Sequence, residues 1–101
     1  MSKRIHHYAA TVTWKGNLGE GTSDYKAYSR SHEITVEGKP VIPATSDTAF
    51  LGENSRYSPE DLLLSSLSGC HMLWYLHLCA INGVVVVDYI DHASGEMAEN
   101  K

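Results

Sequence analysis

In residues 5–14 the apolar side chains Tyr8, Ala10, Val12 and Trp14 alternate with more polar neighbours, Thr11 and Thr13 among them. A period of two predicts a half-buried strand. The stretch Lys15-Gly16-Asn17-Leu18-Gly19-Glu20-Gly21 breaks it. Between Ser23 and Arg30 the pattern weakens to Tyr25 and Tyr28, which reads as strand or irregular chain. Alternation returns in residues 32–36, Glu37-Gly38-Lys39 supplies a turn, and Val41-Ile42 resumes before Pro43, which together predict a hairpin. Residues 44–57 hold few apolar side chains and form a long loop, and long loops in small domains are often functional.

Ser58-Pro59-Glu60-Asp61 is a helix start: a Ser cap, Pro at the first helical position, and an acidic residue three after the cap. No breaker except Gly69 comes before Gly83, which sits where a helix C-terminal glycine belongs. The predicted helix runs from Pro59 to about Asn82, roughly 36 Å at 1.5 Å per residue. Its Leu, Met, Trp and Tyr side chains point in every direction around the helical wheel, so it needs cover on every side. Val84-Val85-Val86-Val87-Asp88-Tyr89-Ile90 is β-branched and predicts a strand. Strands, a long helix and a further strand make an α+β chain.

A transmembrane helix is the rival reading of the apolar segment, since its length suits a bilayer. Three serines and two histidines interrupt it, its N-terminal flank is acidic, and no aromatic belt marks both ends. The expected cover is therefore a sheet and a second copy of the chain, with no membrane. At 101 residues the chain is one domain, and a domain this small buries only about two-thirds of its unfolded surface, so a partner subunit would add needed burial.

Composition narrows the field. Hydrophobic residues make up 43% and charged residues 20%, which argues for a packed core. The formal charge is −4 and the eight Lys and Arg are scattered, which speaks against nucleic acid as a partner. The N-terminus carries a basic pair without an apolar run behind it, so the cytoplasm is the expected location. Cys70 and Cys79 sit in one apolar segment rather than in loops, which fits reduced thiols better than a structural bridge.

The run Tyr57-Ser58-Pro59-Glu60-Asp61-Leu62-Leu63-Leu64-Ser65-Ser66-Leu67-Ser68-Gly69-Cys70-His71-Met72-Leu73-Trp74-Tyr75-Leu76-His77-Leu78-Cys79 closely resembles the helix of the OsmC/Ohr family. There an Asn-Pro-Glu or Ser-Pro-Glu start precedes the reactive cysteine by ten residues from the Glu, as Glu60 precedes Cys70 here. Residues 83–95, with Tyr89 and Asp91, resemble the segment after this helix in the OsmC-like branch. The resemblance implies an intertwined homodimer with two long central helices, and thiol-dependent reduction of organic hydroperoxides in oxidative or osmotic stress defence. It covers roughly the first two-thirds of a typical member, so residues 1–101 read as one OsmC-like domain lacking the C-terminal part, where relatives carry a resolving cysteine. A second departure is Leu51, where many relatives carry a thiol-activating arginine.

The resemblance implies Cys70 and Glu60 as catalytic residues, with a small organic hydroperoxide as substrate and an external thiol or dithiol as reductant; no cofactor and no metal are expected. A free thiol has a pKa near 8.5, so a reactive cysteine in mid-helix requires a cation from elsewhere. With position 51 occupied by Leu, Arg56 and Arg30 are the candidates. Trp74, Leu67 and Leu73 are candidates for an apolar substrate pocket. Glu60 and Cys70 lie about 15 Å apart along one helix and cannot meet within a chain, but antiparallel crossing of two helices near Ser65 would bring Glu60 of each beside Cys70 of the other. Cys79 is set about 180° around the helix and roughly 13 Å along it from Cys70, beyond the ~7 Å that a disulfide allows. His71 diverges from Cys70 by about 100°, His77 lies two turns away on the same face and out of direct reach, and the set Cys70, His71, His77 and Cys79 lacks zinc-ligand spacing. The alternative function is an OsmC-like binding or structural dimer that has lost efficient peroxidase turnover.

Overall fold

A hairpin and one added strand organise the N-terminal part of the chain, and one helix organises the rest. The computed structural model describes residues 3–100. It divides into two compact units, Met1–Pro59 and Glu60–Lys101.

In the first unit β1 (Thr11–Trp14), β2 (His32–Thr35) and β3 (Ile42–Ala44) form an antiparallel sheet in the order β1-β2-β3. Thr11 pairs with Thr35 and Trp14 with His32; on the other side Ile34 pairs with Ile42 and His32 with Ala44. The alternation over residues 5–10 predicts an earlier start to the first strand, and the structure does not show one. The partner strand ends at Thr35, and the next residue, Val36, already closes the turn by accepting from the Lys39 N–H. A strand persists only as far as its ladder.

The ambiguous residues 23–30 are irregular chain, held by side chains instead of a ladder. Arg30 stacks on the rings of Tyr25 and Tyr28 at 4.5 and 3.9 Å and donates to both their carbonyls. Trp14 meets Tyr28 edge-on and donates its indole N–H to the Ser29 carbonyl at 2.8 Å. Gly16 is required there: a Cβ would run into that same carbonyl.

Pro43 is tolerated in β3 because the strand is an edge. Tyr57 then runs alongside, donating to the Pro43 carbonyl at 3.0 Å and accepting from the Thr45 N–H at 2.9 Å. The long loop between them carries a 3₁₀ turn, Thr48–Phe50, capped by the Asp47 side chain. It ends in Leu51, whose φ of 63° makes it the one non-glycine residue with positive φ among the described residues.

The second unit is α1 (Pro59–Ile81) and the chain after it. Its first turn carries Glu60 and Asp61, which favour the positive end of the helix dipole. At the other end Gly83 adopts a φ of 73°, the Val84 N–H reaches the Cys79 carbonyl at 2.9 Å, and the Gly83 N–H points at that of Ala80. Gly83 is the helix-ending glycine that the sequence predicts, and these bonds make its arrangement a Schellman motif.

The strand predicted at residues 84–90 does not form. Those residues have no regular structure, and Val85 and Val87 are 85% and 92% exposed. β-branched residues favour a strand only where a neighbour supplies hydrogen bonds, and none does among the described residues.

The sequence calls for cover all round the helix. In the unit it forms, it has cover on one side. The Ser68 hydroxyl donates to Asp91 at 2.6 Å, and Tyr75 lies against Tyr89 with ring centroids 6.0 Å apart. At about 100° per residue, Ser68, Tyr75 and Cys79 share one face. The opposite face carries Leu63, Leu67, Leu73, Trp74 and Ile81, all exposed. By length and hydropathy alone this helix could cross a membrane.

Candidate functional site

Side chains three, four and seven residues apart on a helix share a face. In α1 that spacing brings Cys70, Leu73, Trp74 and His77 into one open groove of about 380 Å³. Trp74 and His77 meet edge to face, ring centroids 5.7 Å apart at 79°. The Cys70 thiol is free and exposed at one end of the groove. The groove can therefore present a nucleophilic sulfur to a small apolar molecule lying against an indole and a leucine.

Of the three pocket residues that the sequence suggests, Leu73 and Trp74 line this groove; Leu67, one turn earlier, does not. His77 is out of reach of the thiol, yet it forms the far end of the groove, and its i+7 spacing from Cys70 is the sequence signal for that place. Seven residues separate the two by about 10 Å, too far for proton exchange but well within the length of a small ligand.

Cys79 is free and buried on the face turned away from Cys70. The helix is continuous through both, so they are held apart as the spacing requires. Cys79 acts on Tyr75 instead: hydrogen bonding and charge repulsion from its thiol, with smaller contributions from burial and Tyr89, push the phenol above the ordinary tyrosine value. The folded chain then holds that proton more firmly than the unfolded chain. The resulting stabilisation is present below about pH 10 and lost as pH rises through the raised value. Replacing Cys79 by Ala is expected to move the Tyr75 titration, followed by phenolate absorbance, back toward about 10.

Glu60 is half-buried in the first turn of α1, ten residues before Cys70. Arg56 and Arg30 belong to the other unit. Arg56 donates to the carbonyls of Ala44 and His32, both at 2.9 Å, tying the loop before the helix to the sheet. Arg30 is held by the Tyr25 and Tyr28 carbonyls and ring faces. Both guanidinium groups thus have neutral acceptors. Charged hydrogen bonds are worth about 1.5–3 kcal/mol each, and these compete with water because the site is only part-buried. Arg56→Met is therefore expected to cost about 2–3 kcal/mol, measured by urea unfolding.

No group of three His, Cys, Asp or Glu able to hold a metal occurs among the described residues. A second cavity, about 410 Å³, lies on the covered face of the helix between Leu64, Ser68, Met72, Tyr89 and Asp91.

No family model matches the sequence, and no curated protein does. Among solved structures, an OsmC-like protein of unknown function from Vibrio cholerae O1 biovar eltor matches with a TM-score of 0.84 and 31% identity. The match covers 96% of this chain and 65% of that one, so this chain spans a little under two-thirds of its structural neighbour. The three-stranded antiparallel sheet and the one long helix after it, in keeping with the motif around Cys70, are the shared part. By fold and sequence together, the chain belongs to the OsmC-like family.

Proposed function

We propose that this protein reduces organic hydroperoxides through Cys70, as a cytoplasmic homodimer serving oxidative or osmotic stress defence. The observation that carries this reading is an exposed, unbridged thiol at the end of an apolar groove wide enough for a small alkyl or aryl group.

The Cys70 thiolate attacks the distal peroxide oxygen. An S–O bond forms as the O–O bond breaks, the sulfur gives up two electrons, and the departing alkoxide takes a proton from water to leave as an alcohol. The resulting sulfenic acid condenses with one thiol of an external dithiol, releasing water and forming a mixed disulfide. The second thiol of that reductant displaces Cys70. Cys79 takes no part, being buried on the opposite face.

The dimer rests on the bare apolar face of α1. Antiparallel crossing near Ser65 sets Glu60 of one copy beside Cys70 of the other. Ser66 favours such a crossing: it is small, and its hydroxyl already bonds back to the Leu63 carbonyl, leaving no donor stranded at the interface.

The second reading, a binding or structural dimer without efficient turnover, is favoured by one observation. By the resemblance, Leu51 stands where many relatives carry arginine, and the two candidate replacements are already tied to main-chain carbonyls. The two readings separate in a single-turnover experiment. Equimolar cumene hydroperoxide should convert Cys70 to a sulfenic acid that dimedone traps and peptide mass mapping locates. If Cys70 stays unlabelled while the protein is folded, the binding reading replaces the peroxidase one.

A further inference from the structure

The helix α1 runs out into the pair Asn82-Gly83, and of the four asparagines in the sequence only Asn82 is followed by glycine. Glycine has no side chain to hinder approach to its nitrogen or to restrict its backbone, so the Gly83 nitrogen is the least hindered nucleophile that can follow an asparagine amide. Both residues are exposed, and nothing lies within 4 Å of where a Gly83 side chain would begin. Two bonds keep the reacting groups apart. The Asn82 side-chain amide turns back along the helix and donates to the Leu78 carbonyl at 2.7 Å, and the Val84 N–H holds the chain beyond Gly83 to the Cys79 carbonyl at 2.9 Å. The Gly83 N–H itself has the Ala80 carbonyl at 3.5 Å, at the weak limit of a hydrogen bond. Helix ends open locally at low cost, and this one leaves its nucleophile loosely held.

We propose that Asn82 is a site of spontaneous deamidation, and that the modification irreversibly undoes the end of α1. When the last turn opens, the Gly83 nitrogen gives up its proton and attacks the Asn82 side-chain carbonyl carbon. A five-membered succinimide ring closes as the bond to the side-chain nitrogen breaks, and ammonia leaves with that proton. Water then opens the ring at either carbonyl, giving aspartate or isoaspartate at position 82. Neither product rebuilds the turn. Aspartate has lost the donor to the Leu78 carbonyl and sets a negative charge at the negative end of the helix dipole. Isoaspartate in addition carries the main chain through its side-chain carbons, one atom longer, which breaks the spacing that the bond from Val84 to Cys79 requires. In both products residues 84–90 are released from the helix end. The proposal does not depend on the chemistry at Cys70.

The test incubates the full folded chain at mildly alkaline pH, alongside the same chain unfolded in urea, and follows each asparagine by peptide mass mapping with enzymatic methylation of isoaspartate. Asn82 is expected to lose its amide in both samples, well ahead of Asn17 and Asn54. The folded chain should react more slowly by the factor that hydrogen exchange gives for protection of the Val84 amide, because the same local opening admits both reactions. Once Asn82 has converted, protection of Val84 should be lost while far-ultraviolet circular dichroism still shows the helix. Asn82→Gln keeps the amide donor but requires a larger ring that closes far more slowly; it should hold both its amide and the Val84 protection through the same incubation. An Asn82 that stays intact as long as Asn17 and Asn54, or a slowing far beyond the Val84 protection factor, overturns the proposal. Protection of Val84 that survives conversion, or that decays equally in Asn82→Gln, overturns the assigned effect on the helix end.

Discussion

Cys70→Ser is expected to abolish the consumption of cumene hydroperoxide in the presence of a dithiol, while Cys79→Ser leaves most of it. A serine hydroxyl is not ionised near neutral pH and cannot be oxidised to a sulfenic acid, so no slower version of the same path remains. The expected contrast between the two variants is set by the helix. Cys79 is buried and about half a turn out of phase with Cys70, so its thiol can neither meet the peroxide in the groove nor close a disulfide with Cys70 while α1 is intact. Equal loss in both variants would mean that the helix opens during turnover, and the roles assigned to the two thiols would have to be redrawn. Initial rates at several dithiol concentrations also show whether the small loss in Cys79→Ser lies in peroxide attack or in resolution.

The second large effect concerns assembly. The face of α1 that carries Leu63, Leu67, Trp74 and Ile81 is exposed, at 63%, 61%, 62% and 64%. Burying a leucine is worth about 1.5–3 kcal/mol, and a two-fold interface buries each position twice. Leu67→Glu is therefore expected to weaken dimerisation by at least about a thousandfold, since the lost burial on both copies is joined by two carboxylates facing an apolar surface. Sedimentation velocity at micromolar concentration reads this directly, with the parent sedimenting as a dimer and the variant as a monomer. Because the isolated chain leaves so much apolar surface bare, the parent's thermal midpoint should also rise with protein concentration. A parent that is monomeric and melts at one temperature across a hundredfold range of concentration would remove the dimer. Partition of the wild-type chain into vesicles would instead assign lipid as the cover for this helix.

The bonds formed by close neighbours in the chain were legible in the sequence. Ser58-Pro59-Glu60 and Gly83 marked the two ends of α1, and the structure places it at Pro59–Ile81. Glu37-Gly38-Lys39 marked the hairpin turn, and Gly38 takes the positive φ that the turn needs. The opposition of Cys70 and Cys79 comes from 3.6 residues per turn and nothing else. The motif around Cys70 led to the family, and the fold bears that out.

Tertiary structure decided whatever depends on a distant partner. Residues 5–10 and 84–90 have strand-like patterns, but a strand exists only where another segment supplies a ladder, and no local pattern announces whether it will. Arg56 reads as a free cation; its bonds to Ala44 and His32, 12 and 24 residues away, are visible only after the sheet has formed. The left-handed backbone of Leu51 is set by the 3₁₀ turn before it, against the residue's own preference. His77 sits at a spacing readable in advance, yet the sequence could not say that its face of the helix would be left uncovered while the other received Tyr89 and Asp91. Periodicity fixes which side chains share a face, because that is a property of one helix; what covers each face is decided by the rest of the chain.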